Sequence, residues 1–160
     1  MDTLFAIQKK LDDRILKEHH LNREDLFHDK VLALQVETAE LANETRCFKY
    51  WSKKPASPRE TILEEYVDGL HFILSLGIDG GWPETPEWRT EVELPDATTA
   101  FLAVFENISL YAASPSNSAY KEMFSAYLEL GRTLNFSTEE IKEAYLSKNE
   151  KNHIRQEEGY

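Results

Sequence analysis

The chain has 160 residues with 18 Lys and Arg against 29 Asp and Glu, a formal charge of −11, and 41% of it is hydrophobic. That length suits a single domain, residues 1–160, whose core can form without disulfides or a structural metal. The acidic balance argues against non-specific nucleic-acid binding, which needs a basic surface to displace counterions, and it is permissive of divalent cations; solubility is its plainer reading.

From the N-terminus, Leu4, Ile7, Leu11 and Ile15 recur at intervals of three and four, which predicts a first helix over about Leu4 to His19. Asn22 to Asp25 is a polar break with an N-cap candidate. A second helix runs from about Glu24 or Asp29 to Trp51, with Val31, Leu34, Thr38 and Leu41 on one side. Lys53 to Pro58 should end it, because proline cannot continue a helix and restricts the residue before it. Ser57 and Pro58 read as N-cap and first-turn residues of a third helix reaching about Ile78, closed by Gly80-Gly81.

Asp79 to Asp96, with two glycines and three prolines, reads as one long irregular connection. Helices over about Ala97 to Ala113 and Ser116 to Leu134 follow, separated by Ser114 to Ser118. Ser137 and Glu140 form a capping box for a last helix, Thr138 to about Gln156. No strand-like alternation or internal repeat is present, so the fold class is all-α: a helical bundle of five to six helices with one long connection. The apolar run Leu70 to Ile78 is too short to span a membrane and is interrupted by His71, Ser75 and Gly77. No signal segment is visible, and the single Cys47 has no internal disulfide partner, which fits a reducing, cytoplasmic compartment.

The second helix carries Glu37-Thr-Ala-Glu40 and the third Glu65-Tyr-Val-Asp68. Each pair is spaced i, i+3, so both side chains leave one face of their helix, where like charges repel unless a cation lies between them. Glu37 sits three residues after Leu34 and four before Leu41, Glu65 three after Ile62, and Asp68 four before Phe72, so both pairs border the apolar stripes. Carboxylates turned inward must be neutralised, paired or bound to metal. Four of them would balance two divalent ions, and oxygen-only ligands favour magnesium, or manganese, over zinc. The bland alternative is a set of solvated acids on amphipathic helices. A di-iron carboxylate bundle is another, since Asp25-Leu-Phe-His28 and Asp68-Gly-Leu-His71 imitate its acid-x-x-His spacing. A non-catalytic helical interaction protein is a third.

ExxE, 24 residues and ExxD, extended by His71-Phe72, resemble the all-α nucleoside triphosphate pyrophosphohydrolase (MazG-like) superfamily. Gln8-Lys-Lys-Leu-Asp12 resembles its Gln-x-x-Leu-Asn, with Asp for Asn. Phe48-Lys49-Tyr50-Trp51 follows the first acid pair. The C-terminal Lys148-Asn-Glu-Lys-Asn152-His-Ile-Arg155-Gln156-Glu-Glu-Gly159-Tyr160 is similar, nearly letter for letter, to the KNxxNxxRQxxGY signature of the dimeric dUTPases. The resemblance implies hydrolysis of dUTP, and of dUDP, to dUMP with release of pyrophosphate or phosphate, in a homodimer. It implies magnesium on Glu37, Glu40, Glu65 and Asp68, with Glu37 as the base on water. Gln8, Asp12, Lys49, Trp51, His71, Phe72 and Tyr160 become nucleoside contacts. Another nucleotide such as dCTP is the nearest alternative substrate.

Lys148, Asn152 and Arg155 fall at i, i+4 and i+7, one helical stripe suited to polyphosphate. With no anion to hold that stripe, the segment after Ser147 is expected to order only when nucleotide and metal arrive. Phe72, about 6 Å along the axis from Asp68, is placed to stack on a base.

Overall fold

Apolar periodicity sets the helices almost throughout. The computed structural model describes residues 1–159, which form α1 (Thr3–Glu18), a short 3-10 turn (Arg23–Leu26), α2 (Phe27–Thr45), α3 (Arg59–Gly80), α4 (Ala97–Ala113), α5 (Asn117–Thr133) and α6 (Thr138–Glu157), with no strand among them. The long connection is irregular as expected, and Asp96, Ser116 and Ser137 cap α4, α5 and α6 by accepting backbone N–H groups. At α6 the capping box with Glu140 is complete.

Two boundaries differ from the expectation. The second helix stops at Thr45, well before Trp51, because Arg46 turns left-handed (φ 58°) while its N–H bonds back to Ala42. Its guanidinium then donates to Ser52 Oγ and to the Lys54 carbonyl, holding the chain in a turn before any proline is reached. Ser57 does not cap α3. Its hydroxyl donates to the Glu44 carboxylate instead, tying the end of α2 to the start of α3, and Pro58 occupies the cap position without a side-chain bond. The N-cap expected in the 22–25 segment is also not made: Asn22 bonds the Asp25 side chain, and α2 begins without a side-chain cap.

α3 lies at the centre, packed against α1, α2, α5 and α6, while α4 pairs with α5 and also meets α2. Its sequence allows this because it is apolar on nearly every side from Tyr66 to Gly77, and a helix apolar all round must be buried. Two close approaches seat α3 on α5. The hydroxyl of Tyr66 donates to the Tyr127 carbonyl at 2.9 Å, and that of Tyr127 donates to the Tyr66 carbonyl at 2.7 Å. The rings stack with centroids 4.7 Å apart. Each ring lies over a glycine of the opposite helix: a Cβ on Gly69 would stand 2.1 Å from the Tyr127 hydroxyl, and one on Gly131 2.5 Å from that of Tyr66. Alanine at either position would force the rings apart and leave their buried hydroxyls unpaired, at about 1–3 kcal/mol each. No helix is long and apolar enough to cross a membrane among the described residues.

Candidate active site

A cavity of about 440 Å³ opens between α1, α2, α3 and α6. Its two ends have different chemistry.

At one end Glu37 and Asp68 line the cavity, and α2 and α3 bring them together with Glu65, each offering an oxygen within 4.8 Å of the others. The juxtaposition follows from the i, i+3 spacing on α3 and the packing of α2 against it. Burial and the charges of Asp68, Glu40 and Glu65 push the Glu37 carboxyl up to about 7. Glu65 and Asp68 are raised as well, first by burial; Asp68 is partly relieved by a hydrogen bond from Lys148. Glu40 is exposed and stands outside the close set, though its charge acts on Glu37 and Glu65.

Lys148 reaches this end from α6, donating to Asp68 at 2.7 Å and to Glu64 at 3.2 Å. Burial works against its charge, but these two acids carry its pKa above the usual lysine value. Asn152 and Arg155 line the same wall, and Arg155 adds a favourable charge to Asp68. The C-terminal stripe therefore does have an anionic partner in the free chain. α6 is continuous through Glu157, and α1 holds its outer end through Arg14 to His153 and His19 to Gln156. The expectation of a segment with no reason to order before nucleotide missed these contacts, because they depend on α1 and α3 lying beside α6.

At the other end a buried polar network joins α1, α3 and α6. Gln8 donates to Asp12 at 2.8 Å and Ser75 donates to the other Asp12 oxygen at 2.7 Å. The Gln8 carbonyl receives the Tyr145 hydroxyl and the Nδ1 of His71, both at 2.6 Å. Since an amide oxygen only accepts, the His71 proton is on Nδ1, and Nε2 carries a lone pair. That Nε2 is buried and has no hydrogen-bond partner. Burial, with Lys148 nearby, lowers the His71 pKa to about 3, so the ring is neutral. Phe72, half-buried, lines the cavity wall.

Gln8, Asp12, His71 and Phe72 thus share one cavity with Glu37, Asp68, Lys148, Asn152 and Arg155, as the sequence suggested. Lys49 and Trp51 do not line it in a single chain. They stand on the turn after α2, where Lys49 lies over the Phe48 ring and Trp51 is 65% exposed. Tyr160 lies outside the described residues. Ser75, Tyr145 and Lys30 were missed. Ser75 stands seven residues beyond Asp68 and Tyr145 three before Lys148, so extending each motif along its helix face would have reached both. The acid cluster holds no histidine: His28 is exposed, and His71 belongs to the polar network, which removes the di-iron spacing.

The family model described as dUTPase matches residues 1–160. The chain belongs to the all-α dUTPase family. The family's activity is hydrolysis of dUTP. Comparison with curated proteins gives no match.

Proposed function

We propose that this dUTPase converts dUTP, and also dUDP, to dUMP with magnesium as its ion, and that it works as a homodimer in the cytoplasm. The observation that carries the reading is one cavity, lined near one end by Glu37 and Asp68, on which Glu65 converges, and near the other by His71, whose Nε2 is buried and unpartnered.

The acids fit a hard divalent cation. Their donor set is oxygen only, and they crowd so closely that burial and mutual repulsion hold a proton on Glu37 to about pH 7. Glu37, Glu65 and Asp68 would hold magnesium, with Glu40 one turn along α2 completing the set; manganese is a chemically similar substitute. When bound, the ion lowers the pKa of a coordinated water and offsets phosphate charge. Glu37 takes the proton from the attacking water. The water oxygen bonds to phosphorus as the phosphoanhydride bond next to dUMP breaks, and pyrophosphate (phosphate from dUDP) leaves. Lys148, Asn152 and Arg155 bind the polyphosphate, with the arginine able to grip two oxygens at once. Phe72 stacks on the base while Gln8, Asp12 and His71 meet its polar edge.

Exposed apolar side chains on α2 (Leu32 and Val36) and on α4 (Leu102 and Leu110), with the exposed Trp51 nearby in sequence, support the homodimer. In that arrangement Lys49 and Trp51 reach a nucleoside from the partner's side of the interface.

Incubation with each common dNTP and NTP plus magnesium, followed by chromatography, tests the reading. The expected result is dUMP from dUTP and dUDP, with dCTP and dTTP hydrolysed far more slowly. Preference for dCTP would overturn the substrate and leave the metal chemistry standing.

A further inference from the structure

Beyond the acid cluster a second set of charges borders the cavity, which the hydrolytic chemistry does not use. Asp12 on α1, Arg23 on the 3-10 turn, Lys30 on α2 and Asp79 on α3 form a quartet of two anions and two cations. Arg23 donates to Asp79 at 2.5 Å and its nearest nitrogen is 4.0 Å from Asp12, while Lys30 donates to Asp79 at 2.5 Å. Arg23 also reaches Asp13 at the rim. The Lys30 side chain is only 12% exposed, yet both Lys30 and Asp12 line the cavity.

Position along the helices separates this quartet from the phosphate end. Asp79 follows Asp68 by eleven residues on α3, about 16 Å at 1.5 Å per residue, and Lys30 precedes Glu37 by seven on α2, about 10 Å. A nucleotide with its phosphates on Lys148 and Arg155 would therefore bring its base, and not its phosphates, to Lys30.

The hydrogen-bonding capacities of the two residues are opposite and fixed. Gln8 and Ser75 both donate to Asp12, which leaves it an acceptor; an asparagine, as in the family's usual motif, could present either face. Lys30 has three N–H donors and no acceptor, and Asp79 holds it in place.

We propose that Lys30 and Asp12 together read the Watson–Crick edge of the pyrimidine, Lys30 donating to the C4 carbonyl and Asp12 accepting the N3–H, and that this pair rejects cytosine. The inference rests on the base lying at this end of the cavity, as read above. Uracil offers a carbonyl beside an N–H. Cytosine offers an amino group where the carbonyl was and a lone pair where the N–H was, so both contacts become like against like. A buried polar site left unpaired by the wrong base discriminates strongly. Thymine has the same edge as uracil, so the pair does not exclude it; contact at C5 must.

The test is the ratio of kcat/KM for dUTP to that for dCTP, measured with magnesium on the full chain, Lys30→Gln and Lys30→Arg. Glutamine can turn an acceptor to the cytosine amino group, so the ratio should fall roughly tenfold or more, mostly through the KM for dUTP. Arginine keeps a donor-only cation against Asp79 and should stay within about threefold of the unaltered ratio. An unchanged ratio in folded Lys30→Gln overturns the proposal. Should that variant not fold, the unaltered protein is assayed with the pyrimidin-2-one analogue of dUTP, which lacks both the C4 carbonyl and the N3–H. Hydrolysis as poor as that of dCTP supports the pair, and hydrolysis equal to that of dUTP overturns it. Failure of the unaltered protein to prefer dUTP would instead strike the substrate reading itself.

Discussion

Glu37 and Asp12 are both acids on the wall of one cavity, and they live under opposite conditions. Glu37 is half-buried, faces two other carboxylates, and is pushed up to about 7 by burial and their charges. Asp12 is more deeply buried, and its pKa too is raised by burial, but each of its oxygens receives a hydrogen bond and two cations stand nearby. The first acid is left with a charge that a metal ion would relieve. The second has its charge satisfied by the protein, so that it presents a fixed pattern to a ligand. A carboxylate at a functional site can thus be held ready for a cation or spent on recognition, and the donors around it decide which.

The largest expected effect separates the two ends by activity. Glu37→Gln, Glu65→Gln or Asp68→Asn should each lower kcat by about 10³-fold, since losing metal-assisted stabilisation is worth several kcal/mol. Glu37→Gln and Glu65→Gln also remove repulsion, so their metal-free melting temperature should hold or rise, whereas Asp68→Asn also breaks the ion pair with Lys148. A double variant of these acids turning over at the native rate would break the assignment.

The second separates them by stability. Gln8→Ala strips a buried acceptor from His71 and Tyr145 and a donor from Asp12, and should destabilise the fold by about 3 kcal/mol, measured by urea unfolding. If Glu37→Gln proved as destabilising as Gln8→Ala, the contrast between the two ends would be lost.

The third effect is smaller and depends on pH. The unfolded chain releases the Glu37 proton near its ordinary value of 4.5, whereas the folded, metal-free protein keeps it until about 7. The folded state therefore binds the extra proton across that window, so stability falls as pH rises through it and levels off above. With solvent screening allowed for, the loss should be about 1 kcal/mol, or roughly 3 °C in Tm, by thermal melts without metal. Glu37→Gln should flatten the slope, and magnesium should offset the loss by binding the folded state.

Much of the fold was legible because helix formation is local. Apolar spacing located α1 and α2, proline, glycine and polar breaks bounded α3, α4 and α5, and Ser137 with Glu140 gave the start of α6, since a capping box is complete within four residues. The end of α2 was not legible: Arg46 turning left-handed is stabilised by Ser52 and Lys54, groups that have to fold back to reach it. Ser57 had the right neighbour for a cap, but Glu44 from the preceding helix took its hydroxyl.

By itself the sequence determined that this is an all-α dUTPase and which acids face one another across each helical turn, because a 3.6-residue period sends i and i+3 to the same side. Only the tertiary structure decided that Glu37, Glu65 and Asp68 converge while Glu40 stays exposed, and that Lys148 has Asp68 and Glu64 as partners. It also decided that Gln8, Asp12, His71, Ser75 and Tyr145 join in one network. Those contacts link residues as far as 137 positions apart, and their geometry depends on how α1 and α6 lie against α3, which no local period encodes.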